Sequence, residues 1–135
     1  MLERPPWDQE METKVALATL DFPSTDARGV RLVHAGGSVE LTLQIAPNLA
    51  TGFTFGGVRA LRKRAEIHCT EWHIEGAFDV LVEVQGSGWV RELQADTATG
   101  WKDYFPLRHF MIYLDSAGCV EADRRLLGHS SQAMS

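Results

Sequence analysis

The fold is decided by the stretch Arg108-His-Phe-Met-Ile-Tyr-Leu-Asp-Ser-Ala-Gly-Cys-Val-Glu121. Apolar and more polar residues alternate through its first half, the apolar members being Phe110, Ile112 and Leu114. This two-residue period is typical of a β-strand with one apolar face. Residues 115–118 contain turn-forming side chains and a glycine, so the stretch predicts a β-hairpin. The side chains predicted to point outward from its first strand are His109, Met111, Tyr113 and Asp115.

Stretches upstream of this hairpin predict further strands. Residues 30–34 and 38–45 predict a second hairpin that turns at Gly36-Gly37, because apolar residues recur every two positions in its second arm. Residues 78–84 predict another strand, and residues 14–22 slightly favour a strand over a helix because Val15, Leu17 and Thr19 alternate. Residues 53–67 predict another, with a bulge at Gly56-Gly57 that changes its register.

One helix is predicted over residues 87–95. Ser87 is a suitable N-cap, and Trp89, Val90 and Leu93 share one side of the helix. Together these elements predict an α+β fold: a mostly antiparallel β-sheet of about five to seven strands, with one or two short helices packed on one face.

The length of 135 residues predicts one domain with a single hydrophobic core. Residues 1–13 are polar and contain Pro5-Pro6, so we expect a loosely ordered arm there. Residues 14–121 form the predicted α+β domain. Residues 122–135 end in a serine-rich segment and are predicted to be a frayed tail.

Composition also bounds the class of protein. No basic segment precedes an apolar core near the N-terminus, and no apolar run reaches the roughly 18 residues that span a bilayer. We therefore expect a cytoplasmic protein without a membrane partner. Its two cysteines, Cys69 and Cys119, are then expected to be reduced and mostly buried thiols.

Three segments together resemble a known class of protein. They are Phe55-Gly-Gly-Val58, the strand-to-helix passage Asp79-Val-Leu-Val-Glu-Val84 with Gly88-Trp-Val-Arg-Glu-Leu93, and the hairpin of residues 108–121. Their order over residues 39–121 resembles small bacterial cytosolic proteins that are similar to immunity proteins of polymorphic toxin systems. The resemblance implies a binding module that inhibits a toxin domain. Its motifs are structural, so it implies no catalytic residues.

Acidic residues are concentrated in the second half of the chain. Residues 65–121 carry ten acidic and three basic side chains, a net charge of −7. Such a surface suits a basic protein partner, with tryptophans as anchoring contacts, although solubility alone also explains it. The residues that we predict at a partner surface are Glu71, Glu75, Asp79, Glu83, Trp89 and Trp101.

The segment His68-Cys-Thr-Glu-Trp-His73 is the best alternative site. On a strand, Cys69, Glu71 and His73 would point to one face, and three such ligands can hold zinc with an open position. The rest of the chain lacks a second Cys/His pair at zinc-finger spacing, so we do not predict a metal site here. A small enzyme or metal-binding protein that uses this segment remains the alternative function.

Other catalytic and binding classes are disfavoured. The basic run Arg59–Arg64 has no glycine-rich phosphate loop and no aromatic platform, so nucleic-acid binding is not expected. No nucleophile can be paired with a base from sequence spacing, so we predict no catalytic residues and no cofactor, and we expect a binding protein rather than an enzyme. The oligomeric state and the identity of the partner are left open.

Overall fold

The computed structural model describes residues 12–96, 107–125 and 133–134. Over these ranges the chain forms antiparallel sheets and two short helices, which confirms the predicted α+β class. The strands are β1 (Thr13–Thr19), β2 (Gly29–Ala35), β3 (Ser38–Ala46), β4 (Leu49–Phe55), β5 (Val58–Arg64), β6 (Val80–Gln85), β7 (Leu107–Leu114), β8 (Gly118–Arg125) and β9 (Ala133–Met134). The helices are α1 (Glu71–Ile74) and α2 (Gly88–Ala95).

The strands divide into two sheets rather than one. Five strands form the larger sheet in the order β1-β6-β7-β8-β5. Strands β2, β3 and β4 form the smaller sheet, and β9 adds two residue pairs to β4. The two predicted hairpins are both confirmed, as β2–β3 and β7–β8, and β7 is the central strand of the larger sheet.

The prediction of a bulge at Gly56-Gly57 is wrong. These glycines form the turn between β4 and β5, where the chain leaves the smaller sheet and enters the larger one. Gly57 has φ 67°, which a glycine adopts at little cost. The Val58 N–H donates to the Gly37 carbonyl at 2.8 Å, so the turn is held beside the β2–β3 hairpin. A double glycine suits a bulge and a turn equally well, and the alternation on either side of it does not distinguish them.

The predicted helix at residues 87–95 is confirmed as α2. The Ser87 side chain caps it, since its Oγ accepts a hydrogen bond from the Val90 N–H at 3.1 Å. Neither described helix is long and apolar enough to cross a membrane.

The main core lies between the two sheets. The Phe110, Ile112 and Leu114 side chains of β7 face the smaller sheet, as the alternation predicts, and each is at most 5% exposed. The Phe110 ring stacks on Phe55 with 5.9 Å between the ring centroids. Leu41 and Leu43 complete the centre of this layer.

The opposite face of β7 is also buried, which corrects the predicted outward orientation. Met111 is fully buried, Tyr113 is 4% exposed and His109 is 1% exposed. Met111 and Tyr113 belong to a second apolar cluster, against which Trp72 and Ile74 of helix α1 pack. The sequence period identifies two faces correctly, but it does not reveal that helical segments cover the second one.

The predicted domain, residues 14–121, is too short at both ends. Glu12 is buried, and its Oε2 accepts a hydrogen bond from the Gly88 N–H at 2.9 Å. At the other end β8 continues to Arg125, with Ala122, Asp123 and Arg124 buried. The remainder of the predicted arm and tail, residues 1–11, 126–132 and 135, lies outside the described residues.

Because β7 is covered on both faces, truncations on either face should cost similar stability. We expect Met111→Ala and Ile112→Ala each to lower the free energy of unfolding by about 2–5 kcal/mol, measured by urea denaturation. Leu49→Ala, at an exposed position, is the control and should cost less than about 1 kcal/mol. A Met111→Ala variant as stable as the Leu49→Ala control would show that the second face is not packed.

Candidate functional site

The fold separates the acidic residues that were predicted to form one surface. Glu71 and Glu75 are exposed, at the first residue of α1 and directly after its last. Asp79 is partly buried, and its Oδ2 accepts a hydrogen bond from the Ser24 N–H at 3.0 Å. Glu83 is 8% exposed and forms an ion pair with Arg108 through two hydrogen bonds, one of them at 2.7 Å. Glu71 and Glu75 therefore remain at the surface, while Asp79 and Glu83 are engaged inside the fold.

The two predicted aromatic anchors also separate. Trp89 is half-buried on α2, where its ring packs edge-on against His109 with 5.1 Å between the ring centroids. The Arg62 guanidinium lies over the same ring, 3.9 Å from its centroid. Trp89 is thus an internal contact of the fold. Trp101 lies outside the described residues.

The His68–His73 segment is not a strand, which removes the geometry on which the metal hypothesis depends. A 3-10 turn (Glu66–His68) is followed by helix α1, so the alternate residues do not line one face. Cys69 Sγ donates to the Ala65 carbonyl at 3.5 Å, and His73 Nδ1 accepts from the Thr70 N–H at 2.9 Å. Among the described residues, no group of three or more His, Cys, Asp or Glu side chains has the arrangement of a metal site.

A chain of buried polar side chains, which sequence spacing did not reveal, crosses the second face of the larger sheet. His109 Nδ1 lies 2.8 Å from Ser87 Oγ, and His109 Nε2 lies 2.7 Å from Glu121 Oε1. Arg62 reaches the same carboxylate with two hydrogen bonds of 2.9 and 3.1 Å. We call Ser87, His109, Glu121 and Arg62 the buried relay. Its histidine and glutamate are each 1% exposed.

Electrostatics keep the glutamate of the relay ionised. Burial alone would raise the pKa of Glu121, but hydrogen bonds from His109 and Arg62 lower that pKa to about 2. An ionised carboxylate only accepts hydrogen bonds, so His109 Nε2 carries a proton. In the neutral ring Nδ1 then accepts from the Ser87 hydroxyl, whose oxygen accepts from the Val90 N–H.

The buried relay has the hydrogen-bond connectivity of a serine–histidine–carboxylate triad, but its side chains hold elements of the fold together. The Ser87 oxygen is already occupied as the cap of α2, and Ser87 is only 5% exposed. The histidine is covered by the Trp89 ring. A hydrolytic serine must meet its electrophile and an oxyanion pocket, whereas here the relay fastens α2 and β5 to the central hairpin.

Asp123 lies beside the buried relay and differs from its glutamate in hydrogen bonding and in charge. It is fully buried directly opposite His109 in the β7–β8 ladder, and neither of its carboxylate oxygens has a hydrogen-bond partner among the described residues. Burial raises the pKa of Asp123 to about 8; Arg62 opposes the shift and Glu121 adds to it. Near neutral pH this side chain is therefore largely protonated.

Two large apolar side chains remain at the surface close to helix α1. Ile67 is 86% exposed in the 3-10 turn before the helix, and Phe78 is 41% exposed shortly after it. We call Ile67, Phe78, Glu71 and Glu75 the α1 surface. Sequence reasoning missed the two apolar members, because a single isoleucine or phenylalanine between polar residues reads equally well as a core position.

Comparison with known proteins identified no relative of this chain. No protein-family model matches the sequence, and no curated protein and no solved structure is detectably similar to the chain.

The buried Asp123 should make stability fall as pH rises. The ordinary pKa of an aspartate is 3.8, and the folded-state value is about 8, so between these values the unfolded chain releases a proton that the folded chain retains. The free energy of unfolding should then decrease by up to about 1.4 kcal/mol per pH unit over this interval. Asp123→Asn should remove that decrease, and the difference between the two unfolding curves measures it.

Glu121 does not obscure this comparison. Its pKa is lowered from 4.5 to about 2, so its contribution to stability is complete above pH 5 and is lost only in acid. We expect Asp123→Asn and the unmodified chain to be similarly stable near pH 4, and the variant to be the more stable near pH 8. Parallel stability curves across this range would show that Asp123 is ionised in the folded protein.

Proposed function

We propose that this chain is a protein-binding module of the immunity type, which neutralises a toxin domain by docking on it through the α1 surface. The observation that carries the proposal is Ile67, an isoleucine that is 86% exposed in the 3-10 turn before α1, the helix that begins at the exposed Glu71 and is followed by the exposed Glu75. Exposed apolar side chains next to charged ones are typical of protein interfaces, where the apolar contact supplies affinity and the charges select the partner.

The turn that presents Ile67 is held rigidly. The preceding residue, Glu66, accepts hydrogen bonds from the Tyr113 hydroxyl at 3.0 Å and from the Ser116 N–H at 2.8 Å. Both donors belong to the central hairpin, the buried Tyr113 on β7 and the exposed Ser116 in the turn that follows it. A side chain that is fixed before binding loses less conformational freedom when the partner arrives.

Phe78 lies on the other side of the same tyrosine. Its ring centroid is 5.5 Å from that of Tyr113, and the adjacent Asp79 N–H donates to the Tyr113 carbonyl at 2.9 Å. The segments that carry Ile67 and Phe78 therefore both contact Tyr113, the first through a hydrogen bond from its hydroxyl to Glu66 and the second through its ring.

The charge of the α1 surface favours a basic partner. Two basic side chains close to it are directed toward backbone carbonyls: Lys14 donates to Trp72 O and, at 2.6 Å, to Glu75 O, and Arg64 donates to His68 O at 3.3 Å. Glu71 and Glu75 project from the same segment. Exposed carboxylates of this kind act mainly on the rate of association with a basic protein.

Reversing the two helix charges should slow binding without unfolding the protein. We expect Glu71→Lys with Glu75→Lys to reduce the association rate for a basic toxin domain by about tenfold at low salt, since steered association is sensitive to charge. The melting temperature should be nearly unchanged. The matched control, Glu40→Lys with Glu92→Lys, alters the net charge equally at exposed positions outside the α1 surface.

The biological test is protection. The toxin domain encoded beside this chain would be expressed with it, and growth should be restored by the unmodified chain and by the Glu40/Glu92 control. Ile67→Ser should raise the dissociation rate, whereas Leu49→Ser, at another exposed apolar position, should not. Absence of both binding and growth rescue refutes the immunity function. Binding that Glu71, Glu75 and Ile67 do not affect refutes the α1 surface alone.

A further inference from the structure

We propose that the chain forms a two-fold dimer in which strand β1 pairs antiparallel with β1 of a second copy, joining the two five-stranded sheets edge to edge. This surface is distinct from the α1 surface and does not depend on the proposed toxin binding. It is carried by the position, exposure and sequence of β1.

Strand β1 is a terminal strand of the larger sheet. In the described part of the chain it pairs on one side only, with β6. Its Val15 and Leu17 side chains are 39% and 46% exposed. Apolar side chains and unpaired backbone groups on an edge strand are what a further strand requires.

The charge that would ordinarily protect this edge is directed elsewhere. Lysines on edge strands discourage pairing with another chain. Lys14 is the only charged residue in β1, and its ammonium group donates to the Trp72 and Glu75 carbonyls at helix α1, while the Trp72 ring lies 4.5 Å away. Its charge is therefore held over one face of the sheet and does not block the edge.

The sequence of β1 is suited to pairing with itself. In Thr13-Lys-Val-Ala-Leu-Ala-Thr19, a two-fold axis at Ala16 places Val15 opposite Leu17 of the second copy and Thr13 opposite Thr19. Lys14 then lies opposite an alanine, so no like charges meet. A two-fold interface uses the same surface on both subunits, and each favourable pair occurs twice. These features favour a second copy over an unrelated strand.

The mass in solution provides the first test. Light scattering over a concentration series should give twice the monomer mass of 15.0 kDa at high concentration. Leu17→Lys should raise the dimer dissociation constant by at least about tenfold, because the change occurs twice in the interface. Ile67→Lys places the same charge at an exposed apolar position on the α1 surface and should leave the dimer intact.

A disulfide cross-link tests which residues of the two β1 strands lie opposite each other. In a Cys69→Ser background, Ala16→Cys should give a covalent dimer on mild oxidation, since opposed Cα atoms in an antiparallel pair lie about 4.5–5.5 Å apart, within disulfide reach. Leu49→Cys, also at an exposed position in a strand, is the control and should not cross-link at the same rate. Each variant should retain the far-ultraviolet circular dichroism of the unmodified chain, because positions 16, 17 and 49 are exposed.

A mass of 15.0 kDa at every concentration overturns the proposal. So does a dimer that persists in Leu17→Lys, a dimer that Ile67→Lys abolishes equally, or an Ala16→Cys chain that stays monomeric after oxidation. Toxin binding by a strictly monomeric chain would leave the α1 surface supported and the β1 dimer refuted.

Discussion

The burial of strand β7 on both faces is the constraint on which the rest of the structure depends. A central strand that is covered on one face can leave polar side chains in water on the other, but β7 cannot. Its Phe110, Ile112 and Leu114 side chains face the smaller sheet, while His109, Met111 and Tyr113 face the helical segments. Each polar group on the second face must therefore find a partner within the protein.

Of the two buried carboxylates of β8, one meets that requirement within the described residues and the other does not. Glu121 receives hydrogen bonds from His109 and Arg62 and stays ionised, which links α2 and β5 to the central hairpin. Asp123, two residues further along the same strand, has no hydrogen-bond partner in the part of the chain that the structure describes, and it remains largely protonated near neutral pH. The difference follows from partners and not from depth, since both residues are at most 1% exposed. The relay resembles a catalytic triad because a buried histidine satisfies its two ring nitrogens in the same manner in either setting.

Covering the second face of the sheet also determines which residues remain at the surface. Trp72 and Ile74 of α1 pack inward, and Glu66 is engaged with the central hairpin. Ile67 lies between these anchored residues in the chain, and its side chain is left exposed. The same segment that closes the core thus presents the apolar and acidic residues that suit a protein partner. The edge at β1 arises separately: within the described residues β1 is a terminal strand that pairs only with β6, and such a strand has one unpaired side.

The sequence by itself determined the elements that depend on local chemistry. Alternation identified both hairpins, and Ser87 before an amphipathic stretch identified α2, because side-chain period and capping are properties of neighbouring residues. The α+β class followed from these elements. Glu71 and Glu75 were correctly expected at the surface. Glu83 was also expected there but is buried, because it pairs with Arg108, which lies 25 residues away in the chain.

Tertiary structure alone decided which faces are covered and which charges are paired. The turn at Gly56-Gly57 sends the chain into a second sheet, which no local pattern specifies. The run Ala122-Asp-Arg-Arg125 is typical of a solvated tail, but it continues β8. The Arg124 side chain donates to the Gly56 carbonyl, and Asp123 is buried on the opposite face of the sheet. Burial of a polar residue depends on groups that are distant in the chain, so its energetic cost cannot be judged until the fold brings those groups together.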